Sequence, residues 1–383
     1  MRQRIIYILK HNAGIQKLYK IIMSVVFKVL GLFIKTDPQL VLFVSFMGSK
    51  FNDSPKVIFD YLKAHDEYCA HKCVWAFENP EKYPQLETVK IDTLRYFLTA
   101  LKAKYWVTNT NIERGLSFKK RDQVYLNTWH GVALKYIGND CPGRKDYNFD
   151  TVDYLCVSGN HDEKVFRTAF NAKPESYLRC GMPRNDELWT VTEEKKDELK
   201  QLLAIPVEKK VILYAPTWRD SVDGGKTYSI KPPIHFDEWK RKLGDEYILL
   251  FRAHHLTTKV LNVQFDEFIR DVSDYPSVND LMIVSDLLIT DYSAIAFDYA
   301  ILGKPIITFA YDYEEYLAER GTYFNMDERY PSKSCRTEDE LLERVKQLNY
   351  PEEVQKTIKF REQFIQYGKN AVSTCVEAIL RSE

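Results

Sequence analysis

Two hydrophobic periods alternate along most of the chain. Short, nearly all-apolar runs at residues 39–46 (QLVLFVSF), 72–78 (KCVWAFE), 104–110 (KYWVTNT), 123–130 (QVYLNTWH) and 153–159 (DYLCVSG) predict strands. Helical patterns such as residues 54–65 and 93–104 lie between them. A continuous apolar run is the mark of a strand buried on both faces, so the pattern predicts an α/β domain with a parallel sheet. The same rhythm restarts at residues 211–218 (VILYAPTW), continues through 247–255 (YILLFRAHH) and ends in 281–309. In that last stretch the run 286–289 stops at Thr290-Asp291-Tyr292-Ser293, and a helical pattern follows to Leu302. Gly303-Lys304-Pro305 then turns the chain into a second apolar run, 306–309. The helical pattern 193–203, ahead of Pro206, reads as a joint. The expected organisation is an α/β domain over 37–190 and a second over 191–383 that includes the C-terminal helices. There is no internal repeat, no low-complexity tract and no glycine-rich nucleotide fingerprint.

The first 35 residues have a different pattern. They hold seven basic residues and no acid, interleaved with Ile, Leu, Val and Phe. The apolar run 21–34 is shorter than the roughly 20 residues needed to cross a bilayer, and Lys28 interrupts it. An amphipathic helix lying in the interface of an anionic leaflet accounts for the apolar face and for the one-sided charge. Residues 1–36 are therefore expected to be a membrane-associating segment.

Composition changes the picture in two ways. Equal counts of 54 basic and 54 acidic residues exclude a globally basic nucleic-acid binder, so no nucleic acid is expected as a partner. Seven cysteines at irregular spacing, several inside apolar runs, read as reduced thiols in a cytosolic compartment. Cys69 and Cys73 with His65 and His71 lack the second ligand pair of a zinc site, and no carboxylate cluster has metal-ligand spacing, so no metal and no cofactor are assigned.

Polar clusters close several predicted strands: Asn127-Thr128-Trp129-His130-Gly131, Gly181-Met182-Pro183-Arg184-Asn185-Asp186, Pro216-Thr217-Trp218-Arg219-Asp220, Arg252-Ala253-His254 and the Asp291-Tyr292-Ser293 turn. Polar groups at the carboxyl ends of parallel strands in two domains describe a cleft between them. Ser293 and the amides of the following helix suit an anion. Arg252 and His254 alternate along a strand end and so share a face that suits a diphosphate. His130, followed by a glycine that admits close approach, is the candidate proton acceptor.

These motifs (NTWHG, GMPRND, YAPTWRD, RAH and SDLLITDYSAIAFDYAILGKPIITF) resemble the CDP-glycerol glycerophosphotransferase family of teichoic acid synthesis, in the family's order, over residues 40–324. The resemblance implies a GT-B architecture, with an acceptor domain first, a cytidine-nucleotide domain second, and peripheral attachment to the cytoplasmic face of the membrane. It implies CDP-glycerol as donor substrate, an undecaprenyl-linked saccharide as acceptor, and transfer of glycerol phosphate with release of CMP. His130 and His254 are then catalytic, and Arg252, Ser293, Asp291, Tyr292, Thr217, Arg219 and Arg184 bind substrate. Val132-Ala133 replaces the family's usual Thr-Pro, and Ala253 its usual Pro or Met, which leaves subfamily and acceptor open. CDP-ribitol in place of CDP-glycerol and a GT-B sugar-nucleotide epimerase are the competing expectations.

Overall fold

The computed structural model describes residues 12–217, 233–253 and 263–380. The first sheet contains β1 (Asp37–Val44), β2 (Lys72–Phe77), β3 (Thr88–Lys90), β4 (Ala103–Thr108), β5 (Val124–Asn127), β6 (Tyr154–Val157) and β7 (Tyr177–Arg179) in the order 3-2-1-4-5-6-7. The second contains β8 (Lys210–Ala215), β9 (Tyr247–Phe251), β10 (Ile269–Asp271), β11 (Leu287–Thr290) and β12 (Ile306–Thr308) in the order 10-9-8-11-12. Every ladder between these strands is parallel. The apolar runs are buried as their composition requires: Leu40–Val44 and all of β9 are buried. In both sheets the strand order reverses beside the first strand, β1 or β8. The crevice at the carboxyl ends there is where a doubly wound sheet receives a ligand.

The helix Ala13–Phe33 is capped by the Asn12 side chain, which accepts from the Ile15 amide at 3.1 Å. One edge of it joins the first sheet's core. Phe27 is buried, stacked on Phe97 with ring centroids 4.6 Å apart, and Met23 and Leu30 pack beside it. The rest of its apolar surface, including Leu18, Ile22, Val25, Val29, Leu32 and Phe33, is exposed. Among the described residues no helix is long and apolar enough to cross a membrane.

Two features differ from the expected organisation. The last helix, Ala371–Leu380, does not stay with the second sheet. Ala371, Cys375, Val376 and Ile379 pack against Val41, Phe43, Ile58 and Tyr105 of the first domain, and Asp186 caps the helix by accepting from the Ala371 and Val372 amides. The helix after Ser293 is also shorter than its pattern, Ile295–Ala300, followed by a turn through Gly303. Of the cysteines, Cys156, Cys180 and Cys375 meet with sulfurs 3.4–3.9 Å apart inside an apolar cluster, at the packing distance of buried thiols.

Candidate active site

The first wall of the site is built at the end of β5. The Asn127 side chain donates to the Thr110 carbonyl at 2.7 Å and accepts from the Trp129 amide at 2.9 Å. This holds a turn in which Trp129 has a φ of 51°, a left-handed conformation that costs a non-glycine residue about 1 kcal/mol. His130 follows, half-buried, with Nδ1 2.7 Å from the Asn109 carbonyl. A carbonyl only accepts, so Nδ1 carries the proton and Nε2 keeps its lone pair. Burial pulls the imidazole pKa below 6.5, while the Asn109 carbonyl and Asp53 push it up and Arg184 pushes it down. The ring is thus neutral near pH 7, the state a proton acceptor needs.

The second wall lies at the ends of β8 and β11. Asp291, almost inaccessible, accepts from the Thr217 amide at 2.8 Å, from the Thr217 hydroxyl and from the Tyr292 amide at 2.6 Å. It thereby fixes the Ser293 turn to the neighbouring strand end. The two walls touch through Gly131. At its φ of 150° a Cβ would stand 3.1 Å from the Cβ of Ala294 and 3.8 Å from Arg184 Nη2. The missing side chain lets the His130 turn close on the Ser293 turn.

Below this contact Arg184 donates to Asp53 at 3.1 Å and to Asp298 at 2.8 Å, and the three side chains are only about one-tenth exposed. Asn185 adds a bond to Asp298 at 2.6 Å, and Asn279 donates to the Arg184 carbonyl at 2.7 Å. Asp53 opens the helix Asp53–Ala64 beside the first sheet, whereas Asp298 lies on Ile295–Ala300 beside the second, so the cluster ties the two halves together. A second tie runs through Lys135 and Thr322, bridged as antiparallel strands. The Tyr323 amide there donates to the Leu134 carbonyl at 2.9 Å.

The predicted site residues are therefore distributed unevenly. The turns that carry His130 and Ser293 meet across the interface at Gly131 and Ala294, and Thr217 and Asp291 form the latch beneath the Ser293 turn. Tyr292 is corrected from ligand to core: it is inaccessible, stacked on Tyr316 at 3.6 Å, with its hydroxyl on Asp312 at 2.9 Å. Arg184 is likewise held by two carboxylates instead of being presented to a phosphate. Arg252 is half-buried, and its Nη1 donates to the Val272 and Tyr275 carbonyls at 2.9 and 2.8 Å. Burial lowers its pKa, with Asp274 opposing. His254 and Arg219 lie outside the described residues. Asp53 and Asn109 lie outside the motifs read from the sequence, and Asn127 and Asp298 lie inside them without an assigned role. Asp53 opens the helix that follows β1, beyond Phe46, Met47 and Phe51, so the strand-end rule that singles out His130 does not reach it.

Residues 26–381 match the family described as CDP-glycerol:poly(glycerophosphate) glycerophosphotransferase. A teichoic acid poly(glycerol phosphate) polymerase of Staphylococcus epidermidis is 38% identical over 316 residues, 77% of this chain, and the chain spans 43% of that protein. One from Bacillus spizizenii is 31% identical over 379 residues, covering 93% of this chain and 94% of the relative. A solved structure of the wall teichoic acid polymerase TagF, a His-to-Asn variant soaked with CDPG, superposes with a TM-score of 0.80 at 32% identity, covering 94% of this chain and 92% of that one. The chain belongs to the CDP-glycerol:poly(glycerophosphate) glycerophosphotransferase family.

Proposed function

We propose that the protein transfers glycerol phosphate from CDP-glycerol to a hydroxyl of a membrane-lipid-linked saccharide or growing poly(glycerol phosphate) chain, on two facing GT-B domains at the cytoplasmic face of the membrane. The observation that carries this reading is the meeting of His130, with Nε2 unprotonated, and the Ser293 turn across Gly131. His130 Nε2 takes the proton of the acceptor hydroxyl as its oxygen attacks the β-phosphorus. The bond from that phosphorus to the CMP oxygen breaks, its electron pair leaves with CMP, and a phosphodiester remains. Charge in such a transition state spreads over the phosphate oxygens, so positioning and hydrogen-bond donors carry most of the catalysis. Ser293 offers a donor on the turn that meets the His130 turn, and Arg252 with His254 serves the diphosphate. Residues 37–190 bind the acceptor and the second sheet binds the nucleotide. The exposed apolar stripe of Ala13–Phe33, with the basic residues around it, supports docking on an anionic leaflet.

The test is CMP release from CDP-glycerol with and without a lipid-linked acceptor, with CDP-ribitol in parallel. Acceptor-dependent release from CDP-glycerol is expected. Release without acceptor, or from CDP-ribitol alone, overturns the assignment. In the same assay His130→Ala should lower turnover by roughly 10² to 10⁴-fold, with CDP-glycerol affinity within about threefold of the parent. Near-normal turnover in a folded variant removes His130 as the base.

A further inference from the structure

Arg184 is bound by two carboxylates where one would neutralise it. Asp53 and Asp298 together with Arg184 leave the cluster with one net negative charge, in a place where each side chain is about one-tenth exposed. A purely structural ion pair gains nothing from an unmatched buried charge, since taking it out of water is expensive. The excess negative charge lies beside the proton acceptor. Arg184 Nη2 stands 3.8 Å from the place of a Cβ on Gly131, the Phe46 ring of the Asp53 loop has its centroid 5.7 Å from that of His130, and the charge of Asp53 favours the protonated imidazole.

The backbone around it is strained. Asp53 has a φ of 64°, and Phe46 and Met47 in the same loop have 42° and 57°. With Trp129 they make up four of the ten left-handed non-glycine residues in the described chain. Such conformations persist only where surrounding structure enforces them, and they gather at functional sites. The enforcing contacts are visible: the Phe46 amide donates to the Asn109 side chain at 2.8 Å, Asn109 holds His130 by its carbonyl, and Asp53 is fixed by the Ser54 amide at 2.7 Å and by Arg184. The loop that carries the carboxylate therefore also braces Asn109, whose carbonyl anchors the imidazole.

We propose that Asp53 is a positioning residue for the transfer reaction, its carboxylate held beside His130 by Arg184 to offset the positive charge that His130 gains with the acceptor proton. The inference rests on the reading of His130 as proton acceptor. Before transfer the ring is neutral and the cluster carries one negative charge. Once Nε2 holds the proton, ring and cluster sum to zero, and the Nδ1 hydrogen stays on the Asn109 carbonyl. Among the described residues the charged groups acting on His130 are Asp53 from Asp53–Ala64 and Arg184 from Pro183–Trp189, with Asp298 of Ile295–Ala300 behind Arg184. The other neighbours, the Phe46 and Trp129 rings and the Asn109 carbonyl, are uncharged.

The experiment uses Asp53→Asn in the full-length protein, because asparagine keeps the size and shape of the side chain and removes the charge, its one oxygen serving either Arg184 or the Ser54 amide, which the aspartate meets through different oxygens. Two readouts are taken: the NMR titration of the His130 ring, assigned by its loss in His130→Asn, and the pH profile of turnover. The carboxylate favours the charged ring, so its removal should lower the titration midpoint by about one unit, the smaller end of what a close opposite charge does. The acid limb of the profile should move in the same direction. Turnover should fall roughly 10- to 100-fold, part of the contribution of a positioned proton acceptor. KM for CDP-glycerol should stay within about twofold if donor binding is untouched, and Asp53→Glu should recover part of the rate. An unmoved midpoint, or a rate loss matched by a fall in Tm, overturns the proposal. If His130→Ala keeps its turnover, it is the base reading that fails; the midpoint still reports whether Asp53 sets the charge of the ring. If the asparagine variant does not fold, Asp53→Ser is read in the same way.

Discussion

Replacing Arg184 by methionine isolates the ion cluster between the two halves. The guanidinium satisfies Asp53 at 3.1 Å and Asp298 at 2.8 Å with little solvent to take over its role. Methionine fills the volume but leaves both carboxylates buried without a cation, and breaking a buried pair from one side costs about 3–5 kcal/mol. At about 2–4 °C per kcal/mol for domains of this size, Tm should fall by about 6–20 °C. Because Asp53 and Asp298 sit on helices of different domains, the calorimetric transition should also broaden or split as the halves uncouple. Arg179 supplies the control: its bonds to Glu163, 2.8 and 3.1 Å, have similar geometry, but the arginine is half exposed. Water and screening leave surface pairs of this kind with little net effect, so Arg179→Met should move Tm by less than about 2 °C. A shift at Arg184 no larger than that at Arg179 would refute the argument that burial gives the cluster its weight.

Two further outcomes follow from single elements. Deleting the N-terminal helix would also remove Phe27 from the core, so membrane docking is better tested with Val25→Glu and Leu32→Glu, both exposed on Ala13–Phe33. Co-sedimentation with phosphatidylglycerol vesicles should fall in the double variant and, in the parent, with added salt, while Tm is unchanged; undiminished binding contradicts the docking face. Asp162 is inaccessible, and burial pushes its carboxyl up to about 7 although the Ser158 amide at 2.8 Å opposes this. A folded-state value above the unfolded one means stability present at low pH and lost as pH rises from about 4 to about 7. Asp162→Asn should therefore gain on the parent as pH rises, with a ceiling of about 4 kcal/mol from a shift of about three units. Parallel plots of Tm against pH for the two proteins contradict it.

The parts of this fold legible in the sequence are those whose physics is local. Strands such as β1 and β9 announce themselves because burial on both faces demands an unbroken apolar run. The three-residue strands β3, β7 and β10 do not. Each lies at a sheet edge and pairs on one side only, and in β3 Val89 alone is buried. The last helix shows an apolar face in its sequence, but nothing local says that the first sheet receives it. The same limit governs the site. His130 stands out because it is a polar residue at a strand end followed by a glycine that admits close approach. Tyr292 shares the strand-end position, yet Asp312 and Tyr316, which make it core, lie far along the chain. An arginine at a strand end looks alike in sequence whether a phosphate or a pair of aspartates neutralises it, and Arg184 met the aspartates, 131 and 114 residues away. Spacing thus reports where polar groups gather, whereas charge neutralisation is decided across space. Asp53 belongs with Arg184, because the apolar residues between it and β1 hide it from the strand-end rule, and only contacts made across space give its charge a use.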